Sequence, residues 1–147
     1  FTGADRTRVG LFEIANGGTL VTPHLVAGPQ AATGRRIMSA RTAGQVDRML
    51  RKVVSERDGT GNLADVEGFD VAGKTGTAEK IDPTTGRYNH LLYTSSFVGY
   101  APADDPQLLV AVVVDEPTAG SYYGGDVAAP AFAEITEFAL QRMRIRP

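Results

Sequence analysis

Apolar residues recur at the helical period between Ser39 and Ser55, at Ala43, Val46, Met49, Leu50, Val53 and Val54. Ser39 stands ahead of them as an N-cap, and Gly59 lies just beyond their end, so the spacing predicts a helix there. A shorter run of the same period, through Val9, Leu11, Phe12, Ile14 and Ala15, predicts a helix over 6–15. Asn16-Gly17-Gly18 stops it by supplying the positive φ that a helix end uses. Residues 19–26 read as a short extended piece with Pro23 at an edge or turn, and 28–34 as loop. The segment 59–62 reads as a flexible turn.

The pattern then changes to extended runs over 69–79, 91–100 and 107–115. The third is apolar enough to predict burial on both faces. Asp82-Pro83-Thr84-Thr85-Gly86 is a turn between the first two. Residues 116–125 form a loop with two tyrosines and a Gly-Gly pair. A last helix is predicted over 127–142, with Pro130 tolerated in its first turn. Its expected apolar stripe is Ala131, Phe132, Ile135, Phe138, Ala139 and Met143. Together these elements predict an α+β fold, in which an antiparallel sheet of about three core strands is covered by helices on one face.

Composition changes this picture little. The 147 residues suffice for one core, and 42% hydrophobic with 22% charged residues is ordinary for a globular protein. A formal net charge of -2 gives no support to a nucleic-acid or anionic-membrane partner. No apolar run approaches the ~18 residues of a membrane-spanning helix. The absence of cysteine excludes a disulfide framework, a thiolate metal site and a cysteine nucleophile. His24 and His90 fall on different segments, which disfavours a metal centre or a Ser/His/Asp triad built on them. The chain opens at Phe1 with no evident domain start, so it is expected to be part of a larger folding unit.

Candidate chemistry concentrates in Val71-Ala72-Gly73-Lys74-Thr75-Gly76-Thr77-Ala78, and two patterns overlap there. Gly68 to Thr75 fits the phosphate-loop formula G-x-x-x-x-G-K-S/T, and Leu108 to Glu116 mimics the apolar strand and acid that hold magnesium. On that reading Lys74 and Asp115 would serve a nucleotide-binding module. The context opposes it: 62–67 is polar and broken, 69–72 is strand-like, and Gly76 with Pro83 leaves no room for a helix starting at the lysine. The second pattern is Lys-Thr-Gly on an edge strand that takes a peptide substrate as a further strand. Gly76 then admits the substrate backbone, Thr75 or Thr77 donates to a carboxylate, and Lys74 adds positive charge and relays protons. A backbone N–H after the glycine supplies half an oxyanion hole. Three residues alone favour the plainer reading, an exposed lysine beside a glycine bulge on an ordinary strand. A non-enzymatic docking module is a further alternative.

More than three residues point one way. Val71 to Glu79, Thr94-Ser95-Ser96-Phe97-Val98-Gly99-Tyr100-Ala101-Pro102, Asp115-Glu116-Pro117, and Tyr122 to Phe132 occur in order. In these blocks the chain resembles the C-terminal half of the transpeptidase domain of class B penicillin-binding proteins, the division-specific type that builds septal peptidoglycan. The resemblance runs from Ile14 to the final helix. It implies a serine D,D-transpeptidase fold, with residues 1–147 forming the C-terminal half of the domain. Of the family's three motifs only Lys-Thr-Gly is here: no serine in the chain has lysine three residues on or asparagine two residues on. The nucleophile is therefore expected in an upstream half, and this chain alone is expected to be inactive.

By the same resemblance Lys74 belongs to the network around the nucleophile, and Thr75 and Thr77 bind the substrate carboxylate. The Thr77 N–H is an oxyanion donor, Gly76 and Gly124 border the substrate, and Tyr122 and Tyr123 form an aromatic wall. The implied ligands are a peptidoglycan stem peptide and β-lactam antibiotics, with no cofactor or metal. The implied partners are the upstream half and the septal division proteins. The implied location is the extracytoplasmic, periplasmic face of the bacterial cytoplasmic membrane, with the anchor upstream.

Overall fold

The computed structural model describes Thr19–Leu20 and residues 35–147. The helix expected over 6–15, the loop over 28–34 and most of the extended piece over 19–26 lie outside the described residues. The chain divides into two compact units, Phe1–Asp47 and Arg48–Pro147.

In the first unit, strands β1 (Thr19–Leu20) and β2 (Arg35–Arg36) pair antiparallel, Thr19 against Arg36 and Leu20 against Arg35. Helix α1 (Ala40–Ser55) starts here and continues into the second unit. Ser39 caps it as expected: its Oγ accepts the Thr42 N–H at 3.1 Å, satisfying a donor that the first turn leaves without a helical partner. Near the other end Lys52 reaches Glu56 one turn on, at 2.7 Å.

In the second unit the chain leaves α1 through a packed turn rather than an open one. The Gly61 N–H bonds to the Val53 carbonyl at 3.0 Å, and a short 3₁₀ turn (Asn62–Ala64) follows. A β-carbon on Gly61 would stand 2.7 Å from the Phe97 ring and 3.0 Å from Val53. The expectation of a flexible segment at 59–62 is thus corrected: the glycine is there because the backbone lies directly on the core.

Strands β3 (Ala72–Ile81), β4 (Tyr88–Ala101) and β5 (Leu108–Asp115) form an antiparallel meander in the order β3-β4-β5. The first begins later than expected because residues 69–71 are used in the approach, where Phe69 bridges back to Val66. Asp82 makes the hairpin turn, its carboxylate accepting the Thr84 N–H at 2.7 Å. A bulge between Glu79 and Lys80 bends the outer part of the hairpin. After β5 come the short helix α2 (Gly124–Val127), in part of the segment expected as loop, and the longer helix α3 (Ala129–Arg142), which is the helix expected over 127–142 with a start two residues later.

Helix α3 packs on β4 and β5. Phe132 meets Phe97 with ring centroids 4.7 Å apart and tilted by 57°, a favourable aromatic arrangement. Val54, Ala64, Val66, Val71, Ala101 and Leu140 fill in around them. Two burial expectations are corrected. The β5 strand is buried on one face only: Val112 packs against the core, whereas Val113 is 63% exposed on the face turned away from α3. The α3 stripe is borne out at Phe132 and displaced elsewhere. Ala129, Phe132, Thr136 and Leu140 are buried, while Ile135, Phe138 and Met143 are exposed. Thr136 hid the true stripe, because a polar residue stands at the centre of the buried face.

Phe132 is fully buried between the sheet and the rest of its helix. Phe132→Ala is expected to cost about 3–5 kcal/mol through lost transfer energy and a residual cavity. Urea denaturation reads this directly, and a loss below about 0.5 kcal/mol, the range of surface substitutions, would contradict the core as described.

Candidate active site

The site is built on the rung where β3 meets β4. Gly76 lies opposite Ser96, and Thr77 opposite Ser95. Among the described residues β3 is an edge strand, so alternate backbone groups of 72–81 face away from β4 and remain available to another extended chain. The loop carrying the tyrosine pair closes over this rung. A β-carbon on Gly124 would stand 2.3 Å from the Ser96 carbonyl oxygen and 2.4 Å from that of Gly76. No side chain fits there, and the close approach of loop backbone to strand backbone needs glycine.

Of the expected polar residues, Lys74 and Thr75 meet, while Thr77 bonds to the loop. Lys74 Nζ donates to Thr75 Oγ1 and to the Thr75 carbonyl, each at 3.0 Å. Thr77 Oγ1 accepts the Gly124 N–H at 3.1 Å, which leaves its own proton available to a further acceptor. An ammonium and two hydroxyls therefore stand within one short stretch of an edge strand, which suits a carboxylate. Sequence reasoning missed Thr60, whose Oγ1 is 3.1 Å from that of Thr75. The signal was present in Gly59-Thr60-Gly61, a hydroxyl flanked by two residues that permit close packing.

The aromatic pair is larger than expected. Tyr122 stacks on Tyr93 of β4, with centroids 4.1 Å apart and planes within 12°. Tyr123 packs at 4.5 Å on Tyr122, and the two phenol oxygens lie 3.3 Å apart. The hydrogen bond between the two phenols is the main cause that pushes the Tyr123 phenol above its ordinary pKa. Tyr123 is the more exposed of the pair, at 57%. A groove lined by Leu91, Tyr93, Pro117, Ser121 and Tyr122 runs beside the stack.

The phosphate-loop reading is overturned. Lys74 lies within a paired strand, opposite Val98, where that reading needs a loop opening into a helix. Asp115 is already engaged: its carboxylate accepts from Lys80 Nζ at 2.9 Å and Thr94 Oγ1 at 3.1 Å. Lys80 also reaches Glu116 at 2.6 Å, which pins the start of the tyrosine loop to the bulge of β3. His90 bonds to Glu79 at 2.8 Å in the exposed part of the hairpin. Ser95, by contrast, is buried and bonded to a backbone carbonyl, so no Ser/His pair forms between them.

The family model for the penicillin binding protein transpeptidase domain matches residues 11–137. The chain belongs to the penicillin-binding protein transpeptidase family. Among curated relatives it is 45% identical over 117 residues to a "Probable peptidoglycan D,D-transpeptidase PenA" of Neisseria flavescens, covering 80% of this chain and 28% of that protein. It is 39% identical over 144 residues to the stage V sporulation protein D of Bacillus subtilis, covering 90% of this chain and 22% of that protein. The chain thus spans roughly a quarter of the length of these relatives. The transpeptidase domain of penicillin-binding protein 3 from Burkholderia pseudomallei superposes with a TM-score of 0.76 at 42% identity, over 91% of this chain and 40% of that one. Penicillin-binding protein 3 of Mycobacterium tuberculosis, solved with ampicillin, gives 0.73 at 36% identity, over 90% and 33%. These neighbours have the α+β transpeptidase fold, to which the sheet and helices of this chain conform.

The Lys80 clamp makes a pH prediction. Hydrogen bonds first from Lys80 and then from Thr94 hold Asp115 below its ordinary pKa of 3.8. A depressed carboxylate contributes stability that is present above its unfolded value and is lost as pH falls through its folded value. A carboxyl-carbon NMR titration should therefore place the Asp115 midpoint below 3.8, and Lys80→Met should bring it back up. An unchanged midpoint in the variant would show that the ion pair is not the cause.

Proposed function

We propose that this chain is the substrate-binding part of a serine-type peptidoglycan D,D-transpeptidase of the division-specific, septal class. The observation that carries the reading is the Lys74–Thr75 contact on edge strand β3, with Thr77 two residues along the same strand. A stem peptide ending in D-Ala-D-Ala would lie along that edge as an added strand. Its terminal carboxylate would accept from the Thr75 and Thr77 hydroxyls and gain from the Lys74 charge. The Thr77 N–H would be one donor to the developing oxyanion.

In this proposal the nucleophile is a serine of an upstream half, to which this chain is joined in the working enzyme. Its oxygen bonds to the penultimate D-Ala carbonyl carbon, the peptide C–N bond breaks, and the serine proton passes to the departing D-Ala amine. An amine of a neighbouring stem peptide then attacks the ester, forming the cross-link and returning a proton to the serine. Lys74 belongs to the network that moves these protons. A β-lactam enters the same step, but its leaving nitrogen stays tethered to the acyl group and deacylation is slow. Support for this comes from relatives bearing the D,D-transpeptidase name and from the ampicillin complex of the mycobacterial neighbour. The proposal includes a domain on the extracytoplasmic face of the cytoplasmic membrane, with the anchor upstream and the septal division proteins as partners. Without the upstream half the chain is inactive.

The test is labelling of the longer protein by a fluorescent penicillin, read on a denaturing gel against time. The parent is expected to label, and Lys74→Ala to label slower by about 10²–10⁴-fold, the range of a proton-transfer group. Labelling of the variant at the parent rate would remove Lys74 from the catalytic machinery.

A further inference from the structure

We propose that Ser95 is a positioning residue for the aromatic wall and thereby decides which acyl side chains the site accepts. This rests on the transpeptidase reading given above. Ser95 is 0% exposed, and its hydroxyl donates to the Tyr122 carbonyl. Its cross-strand partner is Thr77, whose hydroxyl accepts the Gly124 N–H. One rung of the sheet therefore holds the segment Tyr122-Tyr123-Gly124 at both ends, Ser95 by a carbonyl and Thr77 by an amide.

The tyrosine rings follow from this anchor. Tyr93 lies two residues before Ser95 on β4 and hence on the same face of the strand. It stacks on the ring of Tyr122, while Ser95 holds that residue's backbone. Tyr123 has no such strand beneath it. Its ring rests on Tyr122, and its N–H bonds to Ser121 Oγ at 3.2 Å, which in turn reaches Asp126 at 2.6 Å. The exposed wall thus leans on Tyr122, and Tyr122 on Ser95. Thr77 faces the ligand carboxylate, whereas Ser95 is enclosed and acts only through the loop.

Losing the Ser95 hydroxyl leaves the Tyr122 carbonyl without its donor and frees that end of the loop. The carboxylate-binding groups Lys74, Thr75 and Thr77 keep their own bonds. The consequence falls on ligands whose side chain meets the tyrosines and spares those without one. Ampicillin and 6-aminopenicillanic acid form such a pair, since they share a nucleus and carboxylate and differ by an aromatic acyl group.

The experiment measures second-order acylation rates of the longer protein by both compounds, for the parent and for Ser95→Ala. The variant is expected to lose about three- to tenfold against ampicillin, the factor corresponding to one net hydrogen bond, and to stay within about twofold of parent against 6-aminopenicillanic acid. Equal losses on both compounds, or no loss on either, with the parent acylating normally, would overturn the positioning role. Should Ser95→Ala not fold, Ser95→Cys, a similar volume with a weaker donor, decides the matter by the same split between compounds. A parent protein that neither compound acylates would instead bring down the transpeptidase reading on which the proposal stands.

Discussion

The structure depends on a contact between two backbones. Gly124 lies directly over the strand rung formed by Gly76 and Ser96, closer than any side chain would permit. This contact lets the Gly124 N–H reach Thr77 Oγ1 and brings the tyrosine loop down onto the sheet. The loop and the Lys-Thr-Gly strand are separated by almost fifty residues in sequence, yet they form one surface. The polar groups come from β3, the aromatic groups from β4 and the loop, and the glycine pair joins them.

The remainder of the second unit holds that rung in place. Phe97, one rung along β4, is enclosed by Phe132 of α3 and by the turn at Gly61. Burial of these rings fixes the register of β4, and a slip of β4 by one residue would turn Ser95 to the face opposite Thr75 and Thr77. At the far end of the sheet Lys80 ties β3 to Asp115 and Glu116. These ion pairs are exposed and contribute little to overall stability, but they fix where the tyrosine loop begins. Core packing thus sets the strand register, and the charged clamp sets the entry of the loop.

Much of this was legible in the sequence. The helical period before Ser55, the Asp82 turn and the extended runs each rest on local chemistry, which survives folding. The Lys-Thr-Gly stretch stood out as a candidate through the four blocks that occur in order around it, not through its three residues alone. What stayed hidden was set by packing over long separations. The apolar run of β5 predicts two buried faces, but α3 covers only one. The stripe of α3 was misplaced because Thr136 is buried and Ile135 is not. Thr60 and Tyr93 entered the site only through the contacts of their partners, Thr75 and Tyr122. The phosphate-loop match failed for a related reason: the eight positions of that formula carry no information about whether a strand or a helix contains the lysine.

The most direct measurement of the central claim is a crystal structure of the longer protein acylated by ampicillin. The account predicts that the ligand carboxylate lies within hydrogen-bonding distance of both Thr75 Oγ1 and Thr77 Oγ1. It also predicts that the ligand backbone runs along the free edge of β3, with the phenyl group against Tyr122 and Tyr123. A ligand bound with its carboxylate away from β3, or with both threonine hydroxyls turned elsewhere, would contradict it.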